Sequence, residues 1–243
     1  MAPWYIPGVS AAESAFAAAA ARFLASGSER GGGSWLEESL ASLEPELRAI
    51  RIAWARAPRK LGRDLLNLDA AGATSHGLPE LVASGDWTRF DLGRMAILFK
   101  GLADLPPPEH APLISRLLKS GEIGEQESLL KGLCLLPEPE RFVGAAVEAC
   151  RTNAASVFEA IAAENPYPAA HFPELAFNQM VLKGVFMGMS ARRIVGLETR
   201  ATAELSRMAE GYASERRAAD RSVPDDIEFI VSLPPQSQST SPQ

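Results

Sequence analysis

The chain has 243 residues, with 24 Lys and Arg against 30 Asp and Glu and a formal charge of -6. It is long enough to bury a substantial core, and it lacks the excess of cations that a duplex nucleic-acid binder uses to displace counterions. The hydrophobic fraction of 47% and charged fraction of 22% are ordinary for a globular protein, and the prevalence of Ala and Leu over β-branched residues favours helix throughout.

In chain order, Met1–Gly8 lacks the basic start of a secretory signal. The apolar run Ala15 to Ala25 is broken by Arg22 and is too short to span a bilayer. These features predict a cytoplasmic protein with no membrane span and no nucleic-acid partner. Ser10 to Leu24 is predicted as the first helix, followed by a mobile Gly/Ser-rich loop over 26–34 (SGSERGGGS). Trp35 to Leu43 and Pro45 to Arg56 read as two helices or one kinked helix, and Leu61 to Leu68 as a further short one. Asp69 to Gly85, rich in Gly and small polar residues, reads as a loop. Trp87 to Leu102 is predicted helical in spite of Gly93, ending near Gly101 and the prolines 106–108.

The pattern then becomes regular. Pro112 to Lys119, Glu125 to Leu135, Glu138 to Arg151 and Ala154 to Ala163 are predicted as short helices bounded by Gly, Pro or Asn. Pro173 to Met187 is a longer apolar helix, and Leu205, Met208, Ala209 and Tyr212 keep the spacing of another. Phe229 to Leu233 reads as a short extended piece without an evident partner, and 233–243 (LPPQSQSTSPQ) as a disordered tail. Successive helices with short turns pack antiparallel. The expected fold is all-α: a multi-helix antiparallel array, either a HEAT-like α-solenoid or a compact helical bundle, forming one domain over 1–232.

Reactive residues are few. Cys134 and Cys150 lie in apolar helical contexts and read as buried free thiols. His76, His110 and His171 are too scattered for a zinc motif. The triple glycine at 31–33 has no preceding strand and no following Lys-Ser/Thr, and no Gly-x-Ser-x-Gly elbow occurs. No metal or cofactor is implied.

The segment from Arg151 to Lys183 departs from this pattern. Its helices are apolar nearly all round yet carry Glu159, Asn178, Gln179 and Lys183. A helix apolar on every side is usually buried, and burying an unpaired amide costs roughly 2–7 kcal/mol by transfer estimates. Arg151 and Asn153 stand at the turn before the first helix, where Asn153 is a natural N-cap. Glu164 and Asn165 close that helix, and Asn165-Pro166-Tyr167-Pro168 reads as a stiff extended connector presenting Tyr167 and His171. Two interpretations follow. In one, Arg151 and Lys183 neutralise Glu159 and Glu164 inside a closed network. In the other, Arg151, Glu159, Tyr167, Asn178, Gln179 and Lys183 line a polar pocket for a small ligand. Catalysis adds Glu159 or Glu164 as a general base, with Lys183 as a base or electrostatic clamp.

The segments LPEPERFVGAAVEACRTN, VFEAIAAENPYP, HFPELAFNQMVLK, RIVGLETRATAELSRMAEGY and ERRAADRSVPDDI, spread over Leu136 to Pro224, resemble the EboA domain family. AIAAENPYPAAHFPELAFNQMVLK is the most specific of them, whereas 1–108 resembles the family only in helical character and length. The resemblance implies a bacterial cytoplasmic accessory protein of a multi-gene ebo cluster. Its neighbours there resemble a prenyltransferase, a metal-dependent hydrolase and sugar-phosphate-type enzymes. The implied role is in metabolite traffic, helping a secondary-metabolite precursor reach the cell envelope. The partners expected are then a small polar metabolite or precursor and other ebo-cluster proteins. The resemblance brings no catalytic residues, but it draws attention to Arg151, Asn153, Glu159, Glu164, Asn165, Tyr167, His171, Asn178, Gln179 and Lys183 as ligand-binding candidates. Two other functions stay open on the residues: an enzyme without a recognisable motif (a lyase, isomerase or transferase using Glu159 and Lys183), and a protein-interaction solenoid.

Overall fold

The computed structural model describes residues 9–26, 32–83 and 86–234, with side chains from residue 15 onward. The predicted signal-free start, most of the Gly/Ser-rich loop and most of the tail lie outside the described residues. Among those described there are fourteen α-helices and no strand, only an isolated bridge between Leu65 and Thr88. The fold is all-α. The chain divides into two compact units, Met1–Ala149 and Cys150–Gln243.

The first unit holds α1 (Val9–Ser26), α2 (Gly32–Ala41), α3 (Leu47–Leu61), α4 (Ala70–Ser75), α5 (Arg89–Ala103), α6 (Pro107–Ser120), α7 (Ile123–Gly132) and α8 (Val143–Ala149). Gly32 and Gly33 therefore open a helix. A Cβ on Gly33 would collide with the backbone of Ala25, so the absent side chain is what lets α2 lie against α1. Gly93 has a similar reason, since a Cβ there would overlap the tip of Leu61.

Helix α5 is the centre of this unit and packs on α1, α2, α3 and α7. Phe16 stacks on Phe99 with centroids 4.4 Å apart, and Trp54 Nε1 donates to the carbonyl of Arg94 at 2.9 Å. Thr88 and Asp91 form a reciprocal capping box at its start. Buried Asp91 also accepts from Ser128 and Lys131, while Arg94 donates to Ser128, to Gly124 and, at 3.3 Å, to the Trp54 carbonyl. Burial pulls the Arg94 guanidinium below its ordinary value, with Asp91 opposing the shift. This polar cluster bonds its members to one another, as buried polar groups require.

Three local expectations change here. Leu61 to Leu68 is not a helix. Gly62 stops α3 at φ 85, and the following residues pair in extended form, with Leu66 N–H donating to Trp87 O and Arg89 N–H to Asp64 O, both at 2.9 Å. Asp69 to Gly85 is not all loop. Asp69 caps α4 by accepting from Gly72 N–H at 2.6 Å, and Glu80–Ala83 makes a turn of 3-10 helix. Helix α6 begins within the proline run, because Pro107 and Pro108 fall in the first turn, where no N–H partner is needed.

The second unit holds α9 (Ala155–Ala162), α10 (Tyr167–His171), α11 (Glu174–Phe186), α12 (Leu197–Arg200), α13 (Ala203–Ala218) and α14 (Asp225–Ser232). Phe158, Ile161, Tyr167, Phe177, Val181, Leu205, Ala209 and Ile230 form its interior. α9 packs on α10 and α11, and α13 on α14. Residues 229–232 belong to α14, so the extended piece expected there is helix. Its predicted lack of a strand partner is the reason: an isolated strand leaves its ladder groups unbonded, whereas a helix bonds its own.

Candidate functional site

All ten candidate residues lie in the second unit, within α9, α10 and α11 or in the turns beside them. The Asn-Pro-Tyr-Pro run is not an extended connector. Pro166 is already in helical conformation at φ -76 and ψ -14, and Pro168 sits in the first turn of α10. Asn165 organises the junction. Its buried amide donates to Ala160 O and accepts from Tyr167 N–H, both at 2.9 Å, so one side chain finishes α9 and starts α10. Tyr167 is fully buried against His171 and Phe172. Arg200 secures the far side by donating to the carbonyls of Pro168, Ala169 and Phe172, with its guanidinium 4.4 Å from the Phe177 ring centroid.

Glu159 and Glu164 are paired, but not by Arg151 or Lys183. Arg193 Nη1 donates to Glu159 at 2.7 Å, and its Nε and Nη2 grip Glu164 at 2.9 and 3.2 Å. The Arg193 bonds hold the Glu164 carboxyl below the usual carboxylate range, and both glutamates raise the guanidinium above its usual value. Asn153 is exposed and does not cap α9. Ala154 occupies the N-cap, with its N–H donating to Thr152 Oγ1 at 3.1 Å.

Lys183 has a different task. Its ammonium donates to the carbonyls of Cys150 and Thr152, both at 2.6 Å, and stands 5.3 Å from the Phe158 ring centroid. It thus fixes the turn leading into α9. The neighbouring Cys150 thiol is pushed up to about 12 by burial, against a smaller opposing pull from Lys183.

Beside Lys183 an open depression of about 480 Å³ is lined by Asn153, Leu182, Lys183, Phe186, Met187 and Tyr212. Phe186 is 71% exposed, and its ring meets Tyr212 edge-on with centroids 6.2 Å apart. Arg151 and Gln179 are exposed and Glu159 half-exposed, and none of the three lines the depression. Asn178 is completely buried one helical turn from Leu182, with no hydrogen-bond partner for its amide among the described residues. The structure therefore brings two of the ten candidates, Asn153 and Lys183, to one surface depression, and sends Glu159 and Glu164 to a separate ion-pair cluster.

A family model described as metabolite traffic protein EboA matches residues 20–232. The chain belongs to the EboA family. The match extends well into the first half, where the sequence had offered the family only helical character. No curated protein and no solved structure matches the chain.

Sequence reasoning missed Arg193 and Tyr212. Arg193 carries no local signal, because its partners lie 34 and 29 residues away. Tyr212 read as one more apolar position of an amphipathic helix. Among the described residues no group of three or more His, Cys, Asp or Glu could hold a metal ion, and no helix is long and apolar enough to cross a membrane.

Proposed function

We propose that the second unit binds a small amphipathic metabolite in the depression beside Lys183, and that the protein serves metabolite traffic as an accessory binder rather than by transforming its cargo. The observation that carries this is the placement of a fixed ammonium at the edge of an apolar surface. Lys183 has three N–H donors. Two are spent on the Cys150 and Thr152 carbonyls, which pre-organise the third for a carboxylate, phosphate or carbonyl of the ligand. Leu182, Phe186, Met187 and Tyr212 offer apolar area for its body, and Asn153 offers a neutral polar contact. The volume falls within the range of about 300–1,000 Å³ usual for small-molecule sites.

Family membership supports the same reading. The finer role, delivery of a secondary-metabolite precursor towards the cell envelope together with other ebo-cluster proteins, extends what the resemblance implies. The enzyme alternative needs Glu159 and Lys183 at one substrate. The carboxylate of Glu159 is held by Arg193 and does not line the depression, which favours binding without catalysis.

The test is fluorescence titration with 8-anilinonaphthalene-1-sulfonate, an aromatic anion of suitable character. Wild-type protein is expected to bind it saturably at one site. Phe186→Ser, an exposed change that leaves the core intact, should weaken binding about tenfold or more, and Lys183→Met should do likewise. Glu159→Gln should bind as wild type does. Unsaturable binding, or equal binding by wild type and Phe186→Ser, would remove the proposal.

A further inference from the structure

Asn178 is 0% exposed, and neither Oδ1 nor Nδ2 of its amide has a hydrogen-bond partner among the described residues. Asn165, also buried in this unit, is bonded through both its oxygen and its nitrogen. An orphaned buried amide is costly, and an apolar residue of the same shape would avoid that cost. Such a group needs a specific reason.

Its position supplies one. Thr202 Oγ1 donates to Glu174 at 3.0 Å near the start of α11 and α13, and Phe186 meets Tyr212 further along both helices. Two side-chain contacts therefore link the helices, one near the start of each and one further along. Asn178 and Leu182 occupy the successive turns of α11 between those two contacts. Leu182 lines the depression. A helical leucine lays its side chain back over the preceding turn, on the residue at i−4, and for Leu182 that residue is Asn178. Half-buried Leu182 is thus the lining residue set next to the orphaned amide along α11.

We infer that Asn178 is the inner polar end of the depression, reached when Leu182 changes rotamer, and that it recognises a neutral end group carrying one donor and one acceptor side by side, such as a primary carboxamide or a lactam. The chemistry follows from the amide itself. Oδ1 accepts and Nδ2 donates, so a group offering the reverse pair satisfies both atoms. A carboxylate only accepts, would face Oδ1 without a proton, and would bury an unpaired charge. The ligand then spans the site, with its neutral end inside at Asn178 and its anionic or carbonyl end outside at Lys183. This inference rests on the proposed binding function.

The probes are naphthalene-2-carboxamide and its N,N-dimethyl derivative, which keeps the acceptor and lacks the donor, each titrated calorimetrically. Wild-type protein is expected to prefer the primary amide by about tenfold. Asn178→Leu should lose that preference, gain in Tm, and still bind the anilinonaphthalene sulfonate at the outer end. Leu182→Ala, which uncovers the amide, should bind the primary amide more tightly and keep the preference. Equal binding of the two probes by wild type overturns the inference, as does a preference that survives Asn178→Leu. A higher Tm with no loss of preference would make Asn178 a structural group only. If Asn178→Leu does not fold, an unchanged primary-amide affinity in Leu182→Ala decides against the inference. Failure of the sulfonate titration in wild type would sink the binding function itself, whatever the two amides do.

Discussion

Glu164 and Arg193 are tied twice. The Glu164 N–H donates to the Arg193 carbonyl at 2.8 Å, and the Arg193 guanidinium grips the Glu164 carboxylate through Nε and Nη2. Glu164 sits at φ 51, in the left-handed region that non-glycine residues seldom adopt. The double tie holds this unfavourable turn in place and draws in Glu159 through Nη1. A residue that looked in sequence like a general-base candidate is, in the fold, part of a clasp.

That clasp gives a pH signature. The Glu164 carboxyl lies below its ordinary value because of the Arg193 hydrogen bonds. A group with a depressed folded-state value stabilises fully above its unfolded value, about 4.3 for Glu, and that stabilisation is lost as pH falls through the depressed folded value. The pair is well exposed, at 40% and 51% for the two side chains, so the effect should be no more than about 1 kcal/mol. Arg193→Gln is expected to remove it. Thermal melts from pH 7 to well into the acid range should show wild type losing more Tm than the variant. Parallel curves would deny the clasp any role in stability.

In the first unit Asp91 is the sensitive position. It is 1% exposed, completes the cap of α5, and answers Ser128 and Lys131. Asp91→Ala takes the acceptor from Ser128, Lys131 and the Thr88 N–H and removes the negative charge beside buried Arg94. Breaking a buried ionic group in this way costs about 3–5 kcal/mol. Urea unfolding would measure it, and a loss under about 1 kcal/mol would show that water reaches this cluster.

The two cysteines should be unreactive in the native state. Burial pushes both Cys134 and Cys150 up to about 12, and the thiolate is the reactive form. With 5,5′-dithiobis(2-nitrobenzoate) at neutral to mildly alkaline pH, the folded protein should react slowly, and unfolding in guanidinium should release two thiols. Rapid native labelling of Cys150 would mean that the turn held by Lys183 opens readily.

Helix content was legible wherever a local cause wrote it. Apolar periodicity marked α1, α5 and α11, proline marked the start of α6 only after a shift of several residues, and α10 reads in sequence as an extended connector. The errors share a cause. The stretch after Gly62 failed as a helix because the backbone of Trp87 and Arg89 pairs with Leu66 and Asp64 in it, and the Asn-Pro-Tyr-Pro run closed into a turn because Asn165 bonds Ala160 and Tyr167 at once. Those partners come from beyond the reach of a local window or depend on one side chain's direction.

The sequence by itself determined the all-α class, the family and the stretch that concentrates polar residues on apolar helices, because propensity, periodicity and motif similarity act over a few turns of chain. Only the tertiary structure decided what that polarity does. It paired Glu159 and Glu164 with Arg193 and set the Lys183 ammonium on two carbonyls beside Phe186 and Tyr212. It also buried Asn178 with its amide unanswered among the described residues, while leaving Leu175 and Phe186 of the same helix 59% and 71% exposed. A helix apolar on every side does not specify which side its neighbours cover. That choice belongs to packing, and packing assigned each polar group its partner or its place in the depression.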